Sequence, residues 1–353
     1  MAVRLDPTVH EALQRGLVIP ACPLALTAGR SLDARRQRAL IRYYLAAGAG
    51  GVAVGVHTTQ FAIREPSVAL YAPVLNLVAE ELEGSLPPGF VKIAGVCGKT
   101  EQAAREAATA AEFGYHAVLL SLGALKDATE DELIAHCGAI AAVLPIVGFY
   151  LQKAVGGRML PYSFWRRFAQ IENVVAVKIA AFNRYHTIDV IRAIAESGRT
   201  DIALYTGNDD NIVMDLLTPF RFQLDGRRVE RRLVGGLLGQ WAVWTQKAVA
   251  LLLECHKVAL RGAALPSGML AQSVEITDAN GAIFDEANGF AGCIPGIHEV
   301  LRRQGLFEGT WCIDPHETLS PGQREAIDRV HAAYPHLNDD AFVAVHLDDW
   351  LRD

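Results

Sequence analysis

The sequence predicts a (β/α)₈ barrel, or TIM barrel, followed by a C-terminal helical extension. Short apolar runs alternate with amphipathic segments, and the chain contains eight such runs. Several runs are nearly continuous in Val, Ile, Ala and Leu, as expected of strands buried on both faces of a parallel sheet. After the eighth run, the pattern changes to long helices. Alternation repeated this often favours a closed barrel over an open, doubly wound sheet.

The predicted strands are the short runs rich in apolar and β-branched residues. They cover residues 17–26, 51–56, 91–97, 117–122, 145–150, 174–180, 202–207 and 232–237. Helical patterns lie between them, and the clearest covers residues 32–47. Ser31 or Asp33 can cap its start, and Gly48 and Gly50 end it. The other predicted barrel helices cover residues 66–83, 100–113, 129–143, 162–170, 185–196 and 209–217.

Past the eighth strand, the sequence predicts a helical appendage. Helices are expected over residues 240–261, 272–284 and 322–333, with a stretch punctuated by Pro and Gly at residues 289–321. These patterns indicate a catalytic barrel over residues 1–239 and a C-terminal helical region over residues 240–353 that packs on it. The final segment, residues 336–353, is acidic and carries Phe342 and Trp350. We expect it to dock on a neighbouring subunit or to lie loosely on the surface.

Composition excludes several classes of protein. The 353 residues are 51% hydrophobic and carry a net charge of only -6. The basic residues form no long block or aromatic-interleaved stripe, so neither nucleic acid nor an anionic membrane is an expected partner. The apolar stretch at residues 242–253 is interrupted before the roughly 20 residues that a membrane span needs. Asp6 stands where a signal peptide would have its apolar core, so we expect a cytoplasmic protein.

The six cysteines are widely scattered, with no CxxC motif and no histidine at the spacing of a metal site. We interpret them as reduced thiols in the core. Neither a structural zinc site nor a disulfide framework is expected in so long and apolar a chain.

One basic residue interrupts an apolar strand. Lys178 lies in Val174-Val-Ala-Val-Lys-Ile-Ala-Ala181, where a buried ammonium would be strongly penalised. Burial lowers the pKa of a lysine, and the neutral amine can attack a carbonyl carbon to form an imine. The alternative is a lysine that reaches solvent or pairs with a neighbouring acid.

Tyr150 favours the catalytic interpretation of Lys178. It ends the preceding predicted strand, and adjacent parallel strands lie only about 4.8 Å apart. A phenol there can face the amine and move protons while the imine forms. The alternative is an aromatic side chain that merely caps the strand.

Other polar residues follow the predicted strands, where TIM-barrel enzymes have their active sites. His57, Thr58 and Thr59 follow the second strand, and Asn208 follows the seventh, just before two aspartates. We select His57, Thr58, Thr59 and Asn208 as candidate substrate-binding residues. For His57, the alternative is packing under the barrel rim.

These motifs resemble those of the dihydrodipicolinate synthase/N-acetylneuraminate lyase family of class I aldolases, over roughly residues 17–335. The matching segments are Cys22-Pro23, Gly48 to Gly55, Gly148-Phe-Tyr150, Val175-Ala-Val-Lys178 and Thr206-Gly-Asn-Asp-Asp210. Tyr150 and Lys178 are 28 positions apart (178 − 150), as in the family pattern. The order and spacing of these segments make the resemblance fairly specific.

The resemblance implies that Lys178 is the imine-forming nucleophile and Tyr150 the general acid and base. It also implies that the loop at His57, Thr58 and Thr59 holds the carboxylate of a 2-oxo acid. That loop reads Gly55-Val-His-Thr-Thr-Gln-Phe61, without the glycine and glutamate that the family has there. The His57 imidazole could add a charge or a proton relay.

Two further departures concern the second substrate. The segment Tyr150-Leu-Gln-Lys-Ala-Val155 lacks the family's arginine, which would hold a second carboxylate. The segment Ser121-Leu-Gly-Ala-Leu-Lys-Asp127 lacks the paired tyrosines of the synthase. Lys153 or Arg158 could replace the arginine or remain solvated charges. Dihydrodipicolinate synthesis itself is therefore not expected.

We predict a lyase or aldolase that forms an imine between Lys178 and a small pyruvate-like 2-oxo acid, with no metal or organic cofactor. A dehydratase or hydratase acting on a 2-keto-3-deoxy acid is an alternative, because the same imine can expel a hydroxyl group. A non-catalytic ligand-binding protein on the same barrel is another alternative. The resemblance also implies a homodimer or homotetramer.

Overall fold

The structure is a computed structural model, and it describes residues 3–84 and 86–352. Within these residues, eight parallel strands form one sheet that is nearly closed into a barrel, so the predicted (β/α)₈ fold is confirmed. The strands are β1 (Val18–Pro20), β2 (Gly51–Val54), β3 (Val91–Val96), β4 (Ala117–Leu120), β5 (Ile146–Leu151), β6 (Val174–Ala180), β7 (Ala203–Thr206), β8 (Phe220–Leu224), β9 (Arg227–Arg231) and β10 (Gly235–Leu238). The barrel consists of β1 to β7 and β10.

The first and last barrel strands meet and complete the ring. β1 pairs with β10 in parallel, with Ile19 opposite Leu237. An isolated parallel bridge between Ala21 and Ala53 joins β1 to β2. The side chains that point inward from the strands form their own buried apolar cluster. Because all the barrel strands are parallel, their C-terminal ends, with the loops that follow them, lie at one end of the barrel.

Helices surround the barrel and continue beyond it. They are α1 (Pro7–Arg15), α2 (Ala34–Ala46), α3 (Tyr71–Glu81), α4 (Thr100–Glu112), α5 (Glu130–Ala141), α6 (Tyr162–Phe168), α7 (Arg184–Glu196), α8 (Ile212–Leu217), α9 (Thr245–Arg261), α10 (Ser267–Phe284), α11 (Cys293–Arg303), α12 (Gln323–Ala333) and α13 (Asp340–Trp350). Asp33 caps α2 as expected, because its side chain accepts a hydrogen bond from the Arg36 amide at 3.0 Å.

Two elements of the barrel region were not predicted. Helix α1 precedes β1, and its Leu13 is buried with the inward side chains of the strands. Strands β8 and β9 form an antiparallel hairpin between α8 and β10. Its turn is Asp225-Gly226, both with positive φ, which is the backbone conformation that a two-residue hairpin turn requires. The Asp-Gly pair was therefore a readable signal for this hairpin.

The C-terminal region differs from its prediction in two places. Helix α11 lies inside the stretch punctuated by Pro and Gly, for which no helix was predicted. Pro295 is compatible with this helix because it stands in the first turn, where backbone N–H groups have no partner within the helix. The segment from residue 336 to 352 does not lie loosely on the surface. Its helix α13 packs on α2, with the ring centres of Trp350 and Tyr43 5.5 Å apart and the Trp350 carbonyl accepting from Arg42. Asp353 lies outside the described residues.

No helix in the described part of the chain is both long and apolar enough to cross a membrane. All six cysteines are free thiols, and five of them are buried. The expectation of reduced thiols in the core therefore agrees with the structure, except that Cys97 is partly exposed.

Candidate active site

Lys178 lies on β6 with its side chain directed into the barrel. It is opposite Phe149 of β5 on one side and Tyr205 of β7 on the other. Its Nζ lies 4.6 Å from the centre of the Phe149 ring. Only 7% of the residue is exposed. The amine is therefore held inside the barrel, where charged groups are poorly solvated.

Gly207, directly after β7, makes room for this lysine. A Cβ atom built on Gly207 would lie 2.7 Å from Lys178 Cε and 2.9 Å from the Ala180 Cβ, both well inside contact distance. The absence of a side chain at position 207 thus determines the path that the lysine takes.

Asp209 is the acidic residue beside Lys178. Burial lowers the pKa of the Lys178 amine, and the nearby Asp209 charge opposes that shift. Burial likewise raises the pKa of the Asp209 carboxyl, opposed by the hydrogen bond from the Gln240 amide and by Lys178. The Gln240 N–H donates to Asp209 Oδ1 at 2.8 Å. In the described structure no salt bridge joins the Asp209 and Lys178 side chains, although both line the same cavity.

A small cavity of about 50 Å³ lies at the mouth of the barrel, with Lys178 and Asp209 in its wall. That volume has room for roughly four water molecules. The remaining wall is mostly apolar: Ala21, Val56, Phe149, Leu151, Val155, Ala180, Phe182, Gly207, Gly239, Phe284, Phe290 and Cys293, with His57, Thr58 and Gln152 as further polar residues. The C-terminal region supplies Phe284, Phe290 and Cys293 and so covers the mouth of the barrel.

His57 lies in the wall of this cavity, at the start of a 3-10 turn formed by residues 57–59 after β2. Burial lowers the pKa of His57 to about 4, and the charge of Lys178 contributes to that shift. The imidazole is therefore neutral near pH 7. It can accept or donate a hydrogen bond there, but it does not supply the positive charge considered from the sequence.

The hydroxyl groups of Thr58 and Thr59 are engaged by the backbone. Thr58 Oγ1 donates to the Ala21 carbonyl at 2.8 Å, and Thr59 Oγ1 donates to the Cys22 carbonyl at 2.6 Å. Thr59 Oγ1 also accepts from the amide of Gly55. A carboxylate needs donors, so neither hydroxyl is available for the role expected of it. Thr58 lines the cavity, whereas Thr59 does not.

Asn208 also lies outside the cavity. Its Oδ1 accepts from the Phe182 amide at 3.0 Å. Its Nδ2 donates to Asp215 Oδ2 at 2.9 Å and to Thr187 Oγ1 at 3.2 Å. With all these groups engaged, Asn208 joins the turn after β6 to the turn after β7. It supports the site, and its neighbour Asp209 is the residue that reaches the cavity.

Tyr150 does not face Lys178. Its ring lies in the layer between the barrel and the helices, stacked against Trp165 of α6 at 5.8 Å and His186 of α7 at 5.7 Å between ring centres. It belongs to the apolar core outside the barrel and is absent from the residues that line the cavity. The expected pairing of the phenol with the amine is therefore corrected.

A β-bulge explains the position of Tyr150. Ile146 is opposite Val174, but the next pair joins Val147 to Ala176, so Val175 is an extra residue on β6. From there on, Lys178 is opposite Phe149 and no longer opposite the tyrosine. Because side chains alternate along a strand, a slip of one residue moves Tyr150 to the other face of the sheet.

Neither basic residue proposed to replace the family's arginine reaches the cavity. Lys153 is exposed in the loop after β5. The Arg158 guanidinium donates to the carbonyls of Leu125 and Ala128 and so holds the loop after β4. Apart from Lys178 and the neutral His57, the residues that line the cavity include no basic side chain.

An ion pair that was not predicted supports the His57 turn. Arg64 Nε lies 2.9 Å from Glu106 Oε2, and both side chains are largely buried. Arg64 Nη2 also donates to the carbonyls of Gly55 and Gly95. In the described ranges, no cluster of three or more His, Cys, Asp or Glu side chains could hold a metal ion.

The fold and the site define a class of proteins: TIM barrels with a buried lysine on the sixth barrel strand, facing a small cavity at the barrel mouth. The model of the dihydrodipicolinate synthetase family matches residues 16–218, more than half of the chain, and the chain belongs to this family. No curated protein matches the sequence significantly.

Solved structures resemble nearly the whole chain at low sequence identity. Dihydrodipicolinate synthase from Oceanobacillus iheyensis is 17% identical, with a TM-score of 0.70 over 93% of this chain and 99% of that one. The chloride-inhibited synthase from Acinetobacter baumannii, in complex with pyruvate, is 19% identical, with a TM-score of 0.71 over 90% and 98%. CdNal from Clostridium difficile, in complex with mannosamine, is 13% identical, with a TM-score of 0.69 over 90% and 99%. These likenesses establish the fold.

Proposed function

We propose that this protein is a Schiff-base lyase that forms an imine between Lys178 and a small 2-oxo acid. The observation that carries the proposal is the Lys178 amine itself. It is buried, it has no salt-bridge partner in the described structure, and it opens on a small cavity. An amine whose pKa is lowered in this way is partly neutral near pH 7 and can attack a carbonyl carbon.

The imine determines which bond of the substrate can break. The protonated imine withdraws electrons from the neighbouring carbon, so a carbon-carbon bond β to the nitrogen can break to leave an enamine. The lysine then returns to its free form by hydrolysis. No other protein group needs to form a covalent bond, and family membership supports an aldolase or lyase that acts on a pyruvate-like compound.

We further propose that the substrate carboxylate binds at the turn formed by residues 57–59. His57 and Thr58 line the same cavity as Lys178, and their backbone amides have no acceptor in the described structure. The neutral His57 ring can add one N–H donor. In this arrangement, backbone N–H groups bind the substrate carboxylate in place of the threonine hydroxyls that were expected to do so.

The apolar walls support a reaction other than dihydrodipicolinate synthesis. Phe182, Phe284 and Phe290 occupy the side of the cavity that the C-terminal region closes. No guanidinium lines the cavity to pair with a second carboxylate, and the Tyr150 phenol lies outside it. A small monocarboxylic 2-oxo acid matches these walls best.

Reduction with borohydride tests the proposal. Wild-type protein is incubated with pyruvate and a panel of small 2-oxo acids, reduced, and weighed by intact-protein mass spectrometry. We expect one stable adduct per chain in wild type and in Lys153→Ala, whose exposed lysine serves as the matched control. Lys178→Ala should give none. Absence of an adduct with every 2-oxo acid, or equal trapping in Lys178→Ala, would overturn the Schiff-base proposal and leave the ligand-binding alternative.

A further inference from the structure

We infer that Asp209 carries out the proton transfers of the imine chemistry at Lys178, an inference that rests on the proposed Schiff-base function. Imine formation needs a group that protonates the departing oxygen. Tyr150 is the expected group, but its hydroxyl lies on the outer face of β5 among α6 and α7. The other ionisable side chains of the cavity are the candidates for this role.

Besides Lys178, the ionisable groups that line the cavity are His57, Asp209 and Cys293. The Cys293 thiol is a poor acid, because burial and the neighbouring Asp209 charge raise its pKa well above the usual range. His57 is a poor proton donor near pH 7, because its pKa is lowered to about 4. Burial instead moves the pKa of Asp209 upward from its usual acidic range. Its carboxyl is therefore the best matched proton donor and acceptor of the three.

The position of Asp209 is fixed by the structure around it. It follows β7, and Gln240 follows β10, the neighbouring strand. The Gln240 amide holds Asp209 Oδ1, while the Gln240 side chain accepts from Asn280 Nδ2 at 2.9 Å. Asp209 Oδ2 has no partner in the described structure. One carboxyl oxygen is thus anchored, and the other remains free to exchange protons in the cavity.

The protons and electrons balance with this single carboxyl group. The neutral Lys178 amine attacks C2 of the 2-oxo acid, and the electron pair of the C2–O π bond moves onto oxygen. Asp209 protonates that oxygen and takes up one proton from the nitrogen, which gives the carbinolamine. Asp209 then protonates the hydroxyl group, the C2–O bond breaks, and the nitrogen lone pair forms the C=N bond. The products are water, a protonated imine and the Asp209 carboxylate.

The same carboxylate then serves as the base. In aldol cleavage it takes the proton of the hydroxyl on C4, a C4–O double bond forms, and the C3–C4 bond breaks. The electron pair of that bond forms the enamine and neutralises the imine nitrogen. An anion beside the protonated imine also stabilises that cation, because their attraction is strong in a poorly solvated cavity.

The pH dependence of the reaction follows from the groups around Asp209. Asp209 shares the cavity wall with Lys178 of β6, His57 of the turn after β2 and Cys293 of α11, and Asp210 is its neighbour in the chain. Imine formation needs one transferable proton shared by Asp209 and Lys178. The rate should therefore fall at low pH, where both are protonated, and at high pH, where both are deprotonated.

Asp209→Asn tests the inference, with Asp210→Asn as the matched control. Asparagine keeps an oxygen for the Gln240 amide but cannot exchange the proton. With pyruvate and excess borohydride, we expect the adduct to form roughly 10²-fold more slowly in Asp209→Asn. Asp210 is exposed, and its variant should trap within about twofold of the wild-type rate, since it removes no cavity proton donor. Melting temperatures check that each variant is folded.

A second variant separates proton transfer from structural support. Asp209→Ala leaves space for a small carboxylic acid, so added formate should raise its trapping rate at least roughly tenfold and leave wild type unchanged. Wild-type trapping rates in Asp209→Asn, or no rescue of Asp209→Ala by formate, would overturn the role of Asp209. Failure of wild type to trap at all would instead overturn the proposed Schiff-base function.

Discussion

Phe149 and Lys178 are directly opposite each other on β5 and β6, with the lysine Nζ 4.6 Å from the centre of the phenylalanine ring. The two side chains share the interior of the barrel, so Tyr150, the next residue along β5, must point outward. Lys178 therefore lacks the phenol that was expected beside it. Asp209 is the proton-exchanging group that the cavity offers in its place.

Replacing Tyr150 by phenylalanine should leave imine formation unchanged to within about twofold, because the hydroxyl has no path to the reacting atoms. The rate of borohydride-trapped adduct formation with pyruvate measures this. A reduction of roughly 10²-fold, the usual effect of losing a positioned proton donor, would show that the phenol reaches the amine after all.

Gly207→Ala should disable the lysine without unfolding the barrel. The new methyl group would lie 2.7 Å from Lys178 Cε, so the side chain must leave its present path. We expect trapping to slow by at least roughly tenfold, since a misplaced nucleophile loses its favourable orientation. Gly138→Ala on α5 is the matched control, because its methyl group would meet no atom within 4 Å. Equal trapping in the two variants would refute the steric argument.

His57→Ala should weaken pyruvate binding by roughly tenfold to a hundredfold, the effect of losing one hydrogen bond to a charged group. Because the pKa of His57 is lowered to about 4, the imidazole is neutral from pH 6 upward. The affinity of wild type for pyruvate should therefore not change near pH 6.5 through titration of His57, and the variant should show the same pH dependence there. The dissociation constant is obtained from the pyruvate dependence of trapping. Unchanged affinity would return His57 to a purely structural role.

Acid should destabilise the protein partly through His298 of α11. This residue is fully buried, its ring centre lies 5.1 Å from that of Phe307, and burial lowers its pKa to about 4. An unfolded chain binds the proton at about pH 6.5, so the stability contribution is complete above pH 6.5 and is lost as the pH falls toward 4.

Urea unfolding of wild type and His298→Leu at several pH values between 7 and 4.5 measures this effect. The wild-type free energy of unfolding should fall more steeply with decreasing pH, by up to about 1.4 kcal/mol per pH unit. Identical slopes for the two proteins would contradict it.

The barrel itself could be predicted from the sequence, because buried parallel strands leave continuous apolar runs such as the one around Lys178. The same reasoning selected Lys178 as a candidate, and the structure places this residue in the barrel interior. It failed at Tyr150, since a spacing of 28 positions fixes strand pairing only when no bulge intervenes. The extra residue Val175 has no sequence signature that distinguishes it from its apolar neighbours.

Other parts of the site depend on contacts distant in sequence. Asn208 and Asp209 both follow the seventh barrel strand, and only the fold reveals which of them faces the cavity. Phe284, Phe290 and Cys293 come from the C-terminal region, whose docking over the barrel mouth no local pattern predicts. The hairpin formed by β8 and β9 is different, because the Asp225-Gly226 turn could have indicated it.

Peptide mapping of the borohydride-trapped protein tests the central claim most directly. Reduction of an imine on Lys178 converts it to a secondary amine that trypsin does not recognise. In this part of the chain, trypsin should therefore cleave only after Arg167 and after Arg184. We predict that the added mass of one reduced pyruvate is found on the single tryptic peptide of residues 168–184, at Lys178. An adduct on any other lysine, with Lys178 unmodified and cleaved normally, would contradict the account.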